Sequence, residues 1–588
     1  MTSLNRDYLD GLTAFAQSLG IQSSAQVGYN FQLDMLANIP HVYAPETETL
    51  GFSHNIDSYR YFVGPAGLAG KRVVSSEAGA VRDHAFQQTI PELLWDLKRS
   101  IVGGVNAFVL HGMSFSGNYP NTTWPGFVTF FYLFSETNNR HQPGWYYFRD
   151  FMDYTGRVQQ AMQTVTAKVD LVFWLKNDTY VSVPTKYWPT DLEEAGYTYE
   201  YLSPDNFDLP MAQVKDGILS PDAQAFKALI LRGNETLTSF GVAKLSQWAL
   251  QGLPVIFSGG IPTTFAGYVS AEERTAIHAT LTQLTELPNV HVVAFENLAQ
   301  SIASIGIRPR ISSSSGKPVW YTRWRETEDE TIVFVYYDAT LPSAPGILNR
   351  SVTFEVIETP YHWDAWTGEK TQLKEYSQTN DSTTIPIKLA GNQTTIIAFN
   401  RSQTLGLTKQ TPEKRNTSVA IPLSNWTLTV ESWTAPEDIF DVEGVIKTNS
   451  TYQITSLLPW NKLDIGTNLT YVAGRGYYNT SFNWPTANIG SHAFITMSPI
   501  LHTAVLYVNG CKTRPLDVTA PSAEISRYLK DGVNTVEVVV STPLGNALIP
   551  IRDRLRTAGI SPEMLMGLNP FGEPREYGLV GEVVLNVY

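Results

Sequence analysis

Residues 72–80 read Arg72-Val73-Val74-Ser75-Ser76-Glu77-Ala78-Gly79-Ala80, an apolar run that ends in small residues around one carboxylate. The pattern predicts a strand at Arg72–Ser76 that delivers Glu77 at its end, with space left above it by small neighbours. Short apolar strands alternate with helical stretches through residues 1–165, and such alternation indicates parallel strands. Because parallel barrels carry active sites where their strands end, Glu77 is the leading catalytic candidate. A helix cap or a plain surface position is the ordinary alternative for such a carboxylate.

Three further strands and two helices are predicted in the same segment. The strands are Ala25-Gln26-Val27-Gly28-Tyr29, His41-Val42-Tyr43-Ala44 and Ala107-Phe108-Val109-Leu110, and the helices are Tyr8–Leu19 and Pro91–Ile101. Four strand–helix units make only half of an eight-stranded (β/α)8-type barrel and could not close alone. We therefore expect residues 1–165 to be the C-terminal half of a catalytic barrel whose first half lies upstream of Met1.

Two more carboxylates accompany Glu77 in this segment. Glu46 and Glu48 follow the second predicted strand, near enough around a barrel to share its mouth with Glu77. Cleavage of a glycosidic bond needs one carboxylic acid to protonate the leaving oxygen and a second carboxylate as base or nucleophile. Glu77, Glu48 and Glu46 are therefore the candidate catalytic residues.

Residues after the fourth predicted strand are candidates for substrate binding. His111 ends that strand and could hydrogen-bond a sugar hydroxyl, although a buried structural histidine is an equal alternative. Trp124 could present a flat face on which a sugar ring stacks, and Trp145 follows it along the chain. Arg140 could steer an acidic sugar or pair with a catalytic carboxylate.

The rest of the chain divides into an α/β segment and two β-rich segments. Residues 166–305 contain four predicted parallel strands and a helix at Leu237–Gln251, which suggests a doubly wound, flavodoxin-like domain. Residues 317–402 alternate with period two and predict a small antiparallel β-sandwich, and the polar stretch 403–418 predicts a linker. Residues 420–588 predict a larger β-domain, in which Asn509-Gly510 is the strongest hairpin signal.

Charge and missing motifs exclude several classes of protein. Lysine and arginine number 42 against 55 aspartates and glutamates, a formal charge of −13, so nucleic acid is not an expected partner. No apolar run reaches the roughly 18 residues of a membrane span, so no membrane is expected either. The sequence also lacks HExxH, paired cysteines and the Gly-x-Ser-x-Gly elbow. No cofactor is expected; a structural Ca²⁺ held by loop carboxylates is compatible with the composition, but the sequence locates no metal site.

The compartment can be argued from glycosylation sequons. Twelve Asn-X-Ser/Thr sequons, more than chance would give, predict a secreted, extracellular glycoprotein. Met1-Thr-Ser-Leu-Asn-Arg6 shows no signal peptide, which we interpret as a further sign of missing upstream sequence. The aromatic content of 12% is typical of sugar-stacking proteins and equally of large β-domains, so it decides nothing alone.

Several stretches, taken in order, resemble glycoside hydrolase family 106, the α-L-rhamnosidases, and related fungal secreted proteins. Each motif is loose by itself, but together they cover nearly the whole chain. The similar stretches are Ile39-Pro40-His41 to Glu48, Ser76-Glu77-Ala78, Gly104-Val105-Asn106 to Gly112, Trp124-Pro125-Gly126-Phe127, Arg140 to Trp145, Glu194-Ala195-Gly196-Tyr197 to Tyr201, Asp364-Ala365-Trp366-Thr367-Gly368-Glu369, Val508-Asn509-Gly510 and Leu544-Gly545-Asn546.

The resemblance implies a fold and a reaction. The fold is a multidomain α/β plus all-β protein with the second barrel half, an amidotransferase-like α/β domain, a small β-sandwich and a C-terminal galactose-binding-like jelly roll. The reaction is inverting removal of terminal α-L-rhamnose from a carbohydrate, with one glutamate as general acid and another as general base. By position, Glu77 matches a catalytic-type glutamate and Glu46 or Glu48 a second active-site glutamate. A further essential glutamate is implied upstream of Met1.

Two other functions remain open on the sequence. A truncated or inactive relative could act as a carbohydrate-binding protein, with a relic barrel and working β-modules. A lyase or biosynthetic enzyme could use the same scaffold, because a fold does not dictate its chemistry.

Overall fold

A computed structural model describes residues 4–27, 34–115, 117, 119–135, 138–164, 166–176, 187, 190–313, 320–340, 346–401, 419–485, 491–564 and 570–588. The predicted linker at 403–418 and residues 28–29 of the first predicted strand lie outside these residues.

The N-terminal segment contains one parallel sheet of four strands in chain order: β1 (Ser24–Ala25), β2 (Ala44–Glu48), β3 (Ser75–Ala78) and β4 (Ala107–Leu110). Helices precede, connect and follow these strands. They are the π-helical turn Leu4–Leu9 and the α-helices Asp10–Ser18, Met35–Asn38, Ile56–Leu68, Ile90–Gly103 and Phe148–Met162. Parallel strands end at one edge of a sheet, so the residues after β1 to β4 lie on the same side of the molecule.

Two strands lie further along the chain than predicted, whereas β4 has its predicted bounds. The strand predicted at 41–44 is β2 at 44–48, and the strand predicted at 72–76 is β3 at 75–78. The apolar residues that suggested the earlier positions, Val42 and Val74, are buried together in one core without belonging to a strand. Burial rather than strand pairing therefore explains those apolar runs, and Glu46, Glu48 and Glu77 lie within strands.

The helix Ile90–Gly103 carries clear boundary signals. The Thr89 hydroxyl accepts a hydrogen bond from the backbone of Glu92 while the Glu92 carboxylate accepts one from the backbone of Thr89, a capping box. At the other end Gly104 has a φ of 111°, a left-handed conformation that glycine adopts without a steric cost. These caps explain why the helix extends beyond the predicted Pro91–Ile101.

The α/β segment contains a parallel sheet of five strands: β5 (Leu171–Trp174), β6 (Tyr199–Leu202), β7 (Ala228–Arg232), β8 (Val255–Ser258) and β9 (Val290–Val293). Their order across the sheet is β6-β5-β7-β8-β9, the 2-1-3-4-5 order of flavodoxin-like folds. The α-helices of this segment are Asp191–Ala195, Ser239–Leu250, Ala271–Leu284 and Leu298–Ser304. Shorter pairs join Thr236–Leu237 to Thr264–Phe265 and Val214–Lys215 to Ile218–Leu219.

Strand β6 was not predicted, and its sequence explains why. Glu200 lies in its centre and is fully buried, where the guanidinium of Arg323 pairs with its carboxylate at 2.8 Å. A charged residue between tyrosines reads as an exposed or loop position when its partner is distant in sequence.

Two antiparallel sheets form the small β-unit. One contains Ile311–Ser313, Ile347–Phe354, Thr383–Ala390 and Ser377–Gln378, and the other contains Lys370–Gln372, Thr359–Trp363, Thr394–Asn400, Glu330–Tyr337, Trp320–Glu326 and Ala167–Lys168. The last of these strands precedes β5 in the chain. The connection out of the N-terminal segment therefore supplies an edge of a sheet that otherwise comes from residues beyond 310.

The C-terminal β-unit also has two antiparallel sheets. One contains Val419–Pro422, Val583–Val587, Ala493–Met497 and Ser522–Glu524, and the other contains Ile446–Ile454, Trp426–Thr434, Gly474–Trp484, Gly532–Ser541, Thr503–Val508 and Cys511–Lys512, with an α-helical turn at Gly545–Leu548. Asn509 and Gly510 have φ values of 52° and 77° and join two paired strands, so the predicted hairpin is confirmed.

The largest hydrophobic core extends across three parts of the chain. It includes Phe148 of the N-terminal segment, Trp366 of the small β-unit and Trp426 of the C-terminal unit. Tyr154, on the helix Phe148–Met162, stacks on Trp366 with ring centres 4.4 Å apart. This shared core fixes the β-units against the sheet that carries Glu77. Among the helices that the structure describes, none has the length and apolar character needed to cross a lipid bilayer.

Candidate active site

Two carboxylates meet at the end of the four-stranded sheet, linked by one amide. The Nε2 group of Gln26 donates to Oε2 of Glu77 at 2.7 Å and lies 3.3 Å from Oε1 of Glu46. Gln26 directly follows β1, Glu46 lies in β2 and Glu77 in β3, so three adjacent parallel strands place these side chains together. The oxygens that share this amide are at most about 6 Å apart, the sum of the two distances.

The other oxygen of Glu77 faces His111. Oε1 of Glu77 lies 3.3 Å from Nδ1 of His111, which follows the end of β4. The hydrogen bond from His111 is the largest influence on Glu77, and with that from Gln26 it lowers the carboxyl pKa despite partial burial. Because its pKa is lowered, Glu77 is ionised at neutral pH, and its side chain is 32% exposed and therefore accessible to solvent.

Glu46 is held by a hydroxyl as well as by Gln26. Oγ of Ser75 donates to Oε2 of Glu46 at 2.8 Å. Ser75 lies opposite Glu46 in the β2–β3 register. Both oxygens of Glu46 therefore have hydrogen-bond partners, Gln26 directly after β1 and Ser75 on β3.

Glu48 occupies a different environment. It is 5% exposed, and its carboxylate accepts hydrogen bonds from the backbone amides of Leu50 at 2.8 Å and of Gly51. Burial raises the pKa of this carboxyl, partly offset by the two amides. Glu48 is the register partner of Glu77, whose charge also raises the pKa of Glu48, but its hydrogen bonds hold the loop after β2 and none joins it to Gln26.

An aromatic wall borders His111. The rings of Phe130 and Phe134 lie 6.0 Å and 5.7 Å from the imidazole ring of His111. Phe130 is 55% exposed, unusual for so large an apolar side chain, and its backbone is left-handed with a φ of 56°. An exposed ring next to the imidazole that contacts an ionised carboxylate suits a ligand that has both an apolar face and hydroxyl groups.

The structure does not bear out the substrate-stacking role expected of Trp124. This residue has no exposed surface and packs in a core with Phe86, Tyr132 and Leu544. Its ring therefore has no free face on which a sugar could stack, and the Trp124-Pro125-Gly126 turn serves the junction with the C-terminal unit.

Arg140 and Trp145 are directed toward the C-terminal unit. Arg140 forms an ion pair with Glu443, not with any of the candidate catalytic carboxylates, which corrects one of its two expected roles. Trp145 is 41% exposed on the 3-10 helix Pro143–Tyr147, which packs on strands of the C-terminal unit. No contact in the described residues brings either side chain to Glu77.

Sequence reasoning missed Gln26, Ser75 and Phe130. Gln26 stands inside a predicted strand and carries no charge, and Ser75 reads as one more small residue. The available signal was position, because Gln26 directly follows β1 and Ser75 is the register partner of Glu46 on β3. The described residues include no group of three or more His, Cys, Asp or Glu side chains placed to hold a metal ion.

Comparison with known proteins gives one family match. The family model of glycoside hydrolase family 106, described as alpha-L-rhamnosidase, matches residues 38–378, more than half of the chain. A search of curated protein sequences gave no significant match.

Solved structures extend the comparison to the fold. The rhamnosidase from Novosphingobium sp. PP1Y matches 100% of this chain with a TM-score of 0.77 and 17% identity. This chain covers 55% of that protein and so spans about half its length. A β-galactosidase from G. stearothermophilus and an exo-carrageenase from Bacteroides ovatus match 68% of the chain at 10% and 9% identity, each with a TM-score of 0.40, and 68% and 56% of their own lengths are covered.

Proposed function

Because the chain belongs to glycoside hydrolase family 106, the alpha-L-rhamnosidases, we propose that it forms the C-terminal half of a barrel that hydrolyses terminal α-L-rhamnosides. The observation that carries this proposal is Glu77, an ionised and accessible carboxylate held by His111 and Gln26 at the strand ends. The substrate is a rhamnose-bearing glycan or glycoside. The experiment that tests it is hydrolysis of an aryl α-L-rhamnoside by the chain extended to the first upstream start codon of its gene.

Glu77 acts as the general base. A general acid must hold its proton at working pH, which requires a raised pKa, whereas the pKa of Glu77 is lowered. The ionised Glu77 accepts a proton from water as the water oxygen bonds to the anomeric carbon. The glycosidic bond breaks at the same time, and its oxygen takes a proton from a separate carboxylic acid. The products are free rhamnose of inverted configuration and the alcohol it was attached to.

The general acid comes from outside this chain. Glu46 accepts hydrogen bonds on both oxygens, from Gln26 and from Ser75, so neither oxygen is placed to donate a proton to a leaving group. Glu48 has the raised pKa that an acid needs, but it is 5% exposed and both its oxygens accept hydrogen bonds from backbone amides, so it does not face a bound substrate. The solved rhamnosidase is nearly twice as long, and within the described residues β1 and β4 each pair on one side only. Four upstream strands would close the barrel and bring the acid.

For the remaining units we propose the domain types that the family resemblance implies. The β5–β9 sheet is an amidotransferase-like α/β domain, the small β-unit a sandwich, and the C-terminal unit a galactose-binding-like jelly roll. The strand order and the paired antiparallel sheets support this assignment. The protein is a secreted glycoprotein, which is supported by sequons at exposed Asn349, Asn449 and Asn468.

Replacement of His111 by phenylalanine should shift the pH dependence of the extended enzyme. The hydrogen bond from His111 lowers the pKa of Glu77, so its loss raises that pKa. The base is then protonated over a wider acidic range, and we expect the acid limb of kcat/KM to move to higher pH. Phenylalanine keeps a ring in contact with Phe130 and Phe134. If His111 served only to pack against these rings, the acid limb of the variant would stay at its wild-type pH.

The matched control is His492→Phe, since His492 also pairs with a glutamate, Glu524, but is 71% exposed on the C-terminal unit. It should leave the profile unchanged. An acid limb that stays in place in the His111→Phe enzyme would remove His111 from the control of Glu77.

A carbohydrate-binding role without catalysis is the second candidate. It is favoured by the exposed Phe130 and by the unpaired edges of β1 and β4 among the described residues, which leave the barrel half incomplete in this chain. Glycan binding by both the chain and its extended form, with no hydrolysis by either, would support it over the enzyme.

A further inference from the structure

The opposite end of the N-terminal sheet carries a cleft that the proposed reaction does not use. Its volume is about 390 Å³. Lys71 and Arg72 contribute to it from the loop that precedes β3, and Gly104 and Asn106 from the loop that precedes β4. Since the catalytic candidates lie where these strands end, the cleft lies at the opposite end of the sheet from Glu77.

The lining of this cleft is strongly cationic. It includes Lys71, Arg72, Arg323 and Arg325, and no aspartate or glutamate belongs to its described lining. The whole chain carries a formal charge of −13, so such a cluster runs against its general composition. Four cationic side chains line a cavity within the usual 300–1,000 Å³ of ligand pockets, and with Arg323 paired to Glu200 the lining still has a net positive charge that attracts anions.

Two of these cations are deeply buried, which makes the site a built feature and not a surface patch. Arg323 and Arg325 are each 6% exposed and alternate along the strand Trp320–Glu326, so both point away from the core that holds Trp324. Glu200 neutralises Arg323 through a contact of 2.8 Å, and its other oxygen lies 3.5 Å from the amide of Gln224. One buried carboxylate thus stands beside two buried guanidinium groups.

The backbone leaves room for these guanidinium groups. Gly104 has a φ of 111°, and a Cβ atom there would come within 2.6 Å of Val63 and 3.0 Å of Nη2 of Arg323. A larger residue would displace the guanidinium from its place at the cleft. Burial and the neighbouring Arg323 lower the pKa of Arg325 to about 9, so a negative group in the cleft would favour its charged form.

We propose that this cleft, which we call the cationic cleft (Lys71, Arg72, Arg323 and Arg325), binds a small molecule through a phosphate, sulfate or carboxylate group. Arginine presents a planar fork of donors that matches such oxyanions, and Lys71 and Arg72 add charge at the more exposed side. The proposal does not depend on the rhamnosidase reaction.

Isothermal titration of the full chain with inorganic phosphate, sulfate and glucuronate, at constant ionic strength set by sodium chloride, tests the proposal. We expect saturable binding of one equivalent of at least one of these probes, with a matching rise in melting temperature. Binding of phosphate or sulfate identifies a tetrahedral anion as the ligand group, and binding of glucuronate alone identifies a sugar carboxylate. Absence of saturable binding for all three would overturn the proposal.

Variants locate the binding. Lys71→Ala combined with Arg72→Ala removes the more exposed cations without disturbing the buried pair, and should weaken the apparent Kd about tenfold or more. Arg149→Ala combined with Lys462→Ala removes two exposed cations elsewhere and should bind as wild type does. Arg325→Gln should abolish binding if it folds. Equal affinity in the Lys71/Arg72 double variant and in wild type would overturn the assignment to this cleft.

Discussion

Replacement of Glu77 by glutamine in the N-terminally extended enzyme should lower kcat for an aryl α-L-rhamnoside by about 10³-fold or more, with little change in KM. Glutamine preserves the size of the side chain and a hydrogen bond to Gln26 or His111, but cannot accept a proton from water. Removal of a general base costs roughly 10²–10⁴-fold, and Gln26 and His111, the side chains that contact Glu77, supply no second carboxylate. Steady-state kinetics at saturating substrate measure the effect.

The matched control for this substitution is Glu272→Gln. Glu272 is exposed in the first turn of the helix Ala271–Leu284, in the α/β segment away from β3. Its loss should leave kcat within about twofold of wild type, because surface substitutions rarely matter. Wild-type turnover by the Glu77→Gln enzyme would exclude Glu77 from the mechanism.

Replacement of Arg60 by methionine should destabilise the chain by about 3–5 kcal/mol. Arg60 is 5% exposed and bonds to Asp57 at 2.6 Å and to Glu193 at 3.1 Å, and its guanidinium lies 4.0 Å above the Tyr199 ring. Without it, two buried carboxylates lose their counter-ion, and breaking such a pair costs far more than its net contribution. Glu193 and Tyr199 belong to the α/β segment, so the loss also loosens its contact with the helix Ile56–Leu68. The midpoint of urea unfolding, followed by tryptophan fluorescence, measures the change.

The control is Arg149→Met, which breaks the exposed pair of Arg149 with Asp153 on the helix Phe148–Met162. An exposed pair one helical turn apart contributes little, so the unfolding midpoint should change by less than the equivalent of about 0.5 kcal/mol. If Arg60→Met unfolds at the wild-type urea concentration, the buried network does not hold the two segments together.

The sequence predicts the existence of the strands that position the site more accurately than it predicts the residues at which they begin and end. The β4 strand and the parallel order of β1 to β4 follow from alternating apolar runs and helices. The bounds of β2 and β3 do not follow from this pattern, because Val42 and Val74 are buried in a core without belonging to a strand. Apolar periodicity reports burial, and strand pairing is only one way to achieve it.

The residues of the candidate site also fall into some that the sequence could predict and others that it could not. Glu77, Glu46 and His111 could be found from the sequence because each is a chemically distinctive residue at a predicted strand end. Gln26 could not, since its role depends on lying between two carboxylates that are 20 and 51 residues away. Trp124 shows the opposite error: its aromatic ring suggested sugar stacking, but the distant segment that contains Leu544 covers it. Contacts between residues far apart in sequence decide these cases, and no local pattern carries them.

Hydrolysis of an aryl α-L-rhamnoside is the measurement that tests the central claim most directly. It compares this chain with the form extended to the first upstream start codon, on a panel that also contains aryl β-D-galactoside and aryl β-D-glucuronide. We expect the extended form to release the aryl group from the α-L-rhamnoside fastest, and this chain alone to release little because the proposed general acid lies outside it. Failure of the extended form to hydrolyse any of these glycosides, while it still binds a rhamnose-containing glycan, would contradict the assignment as a glycosidase.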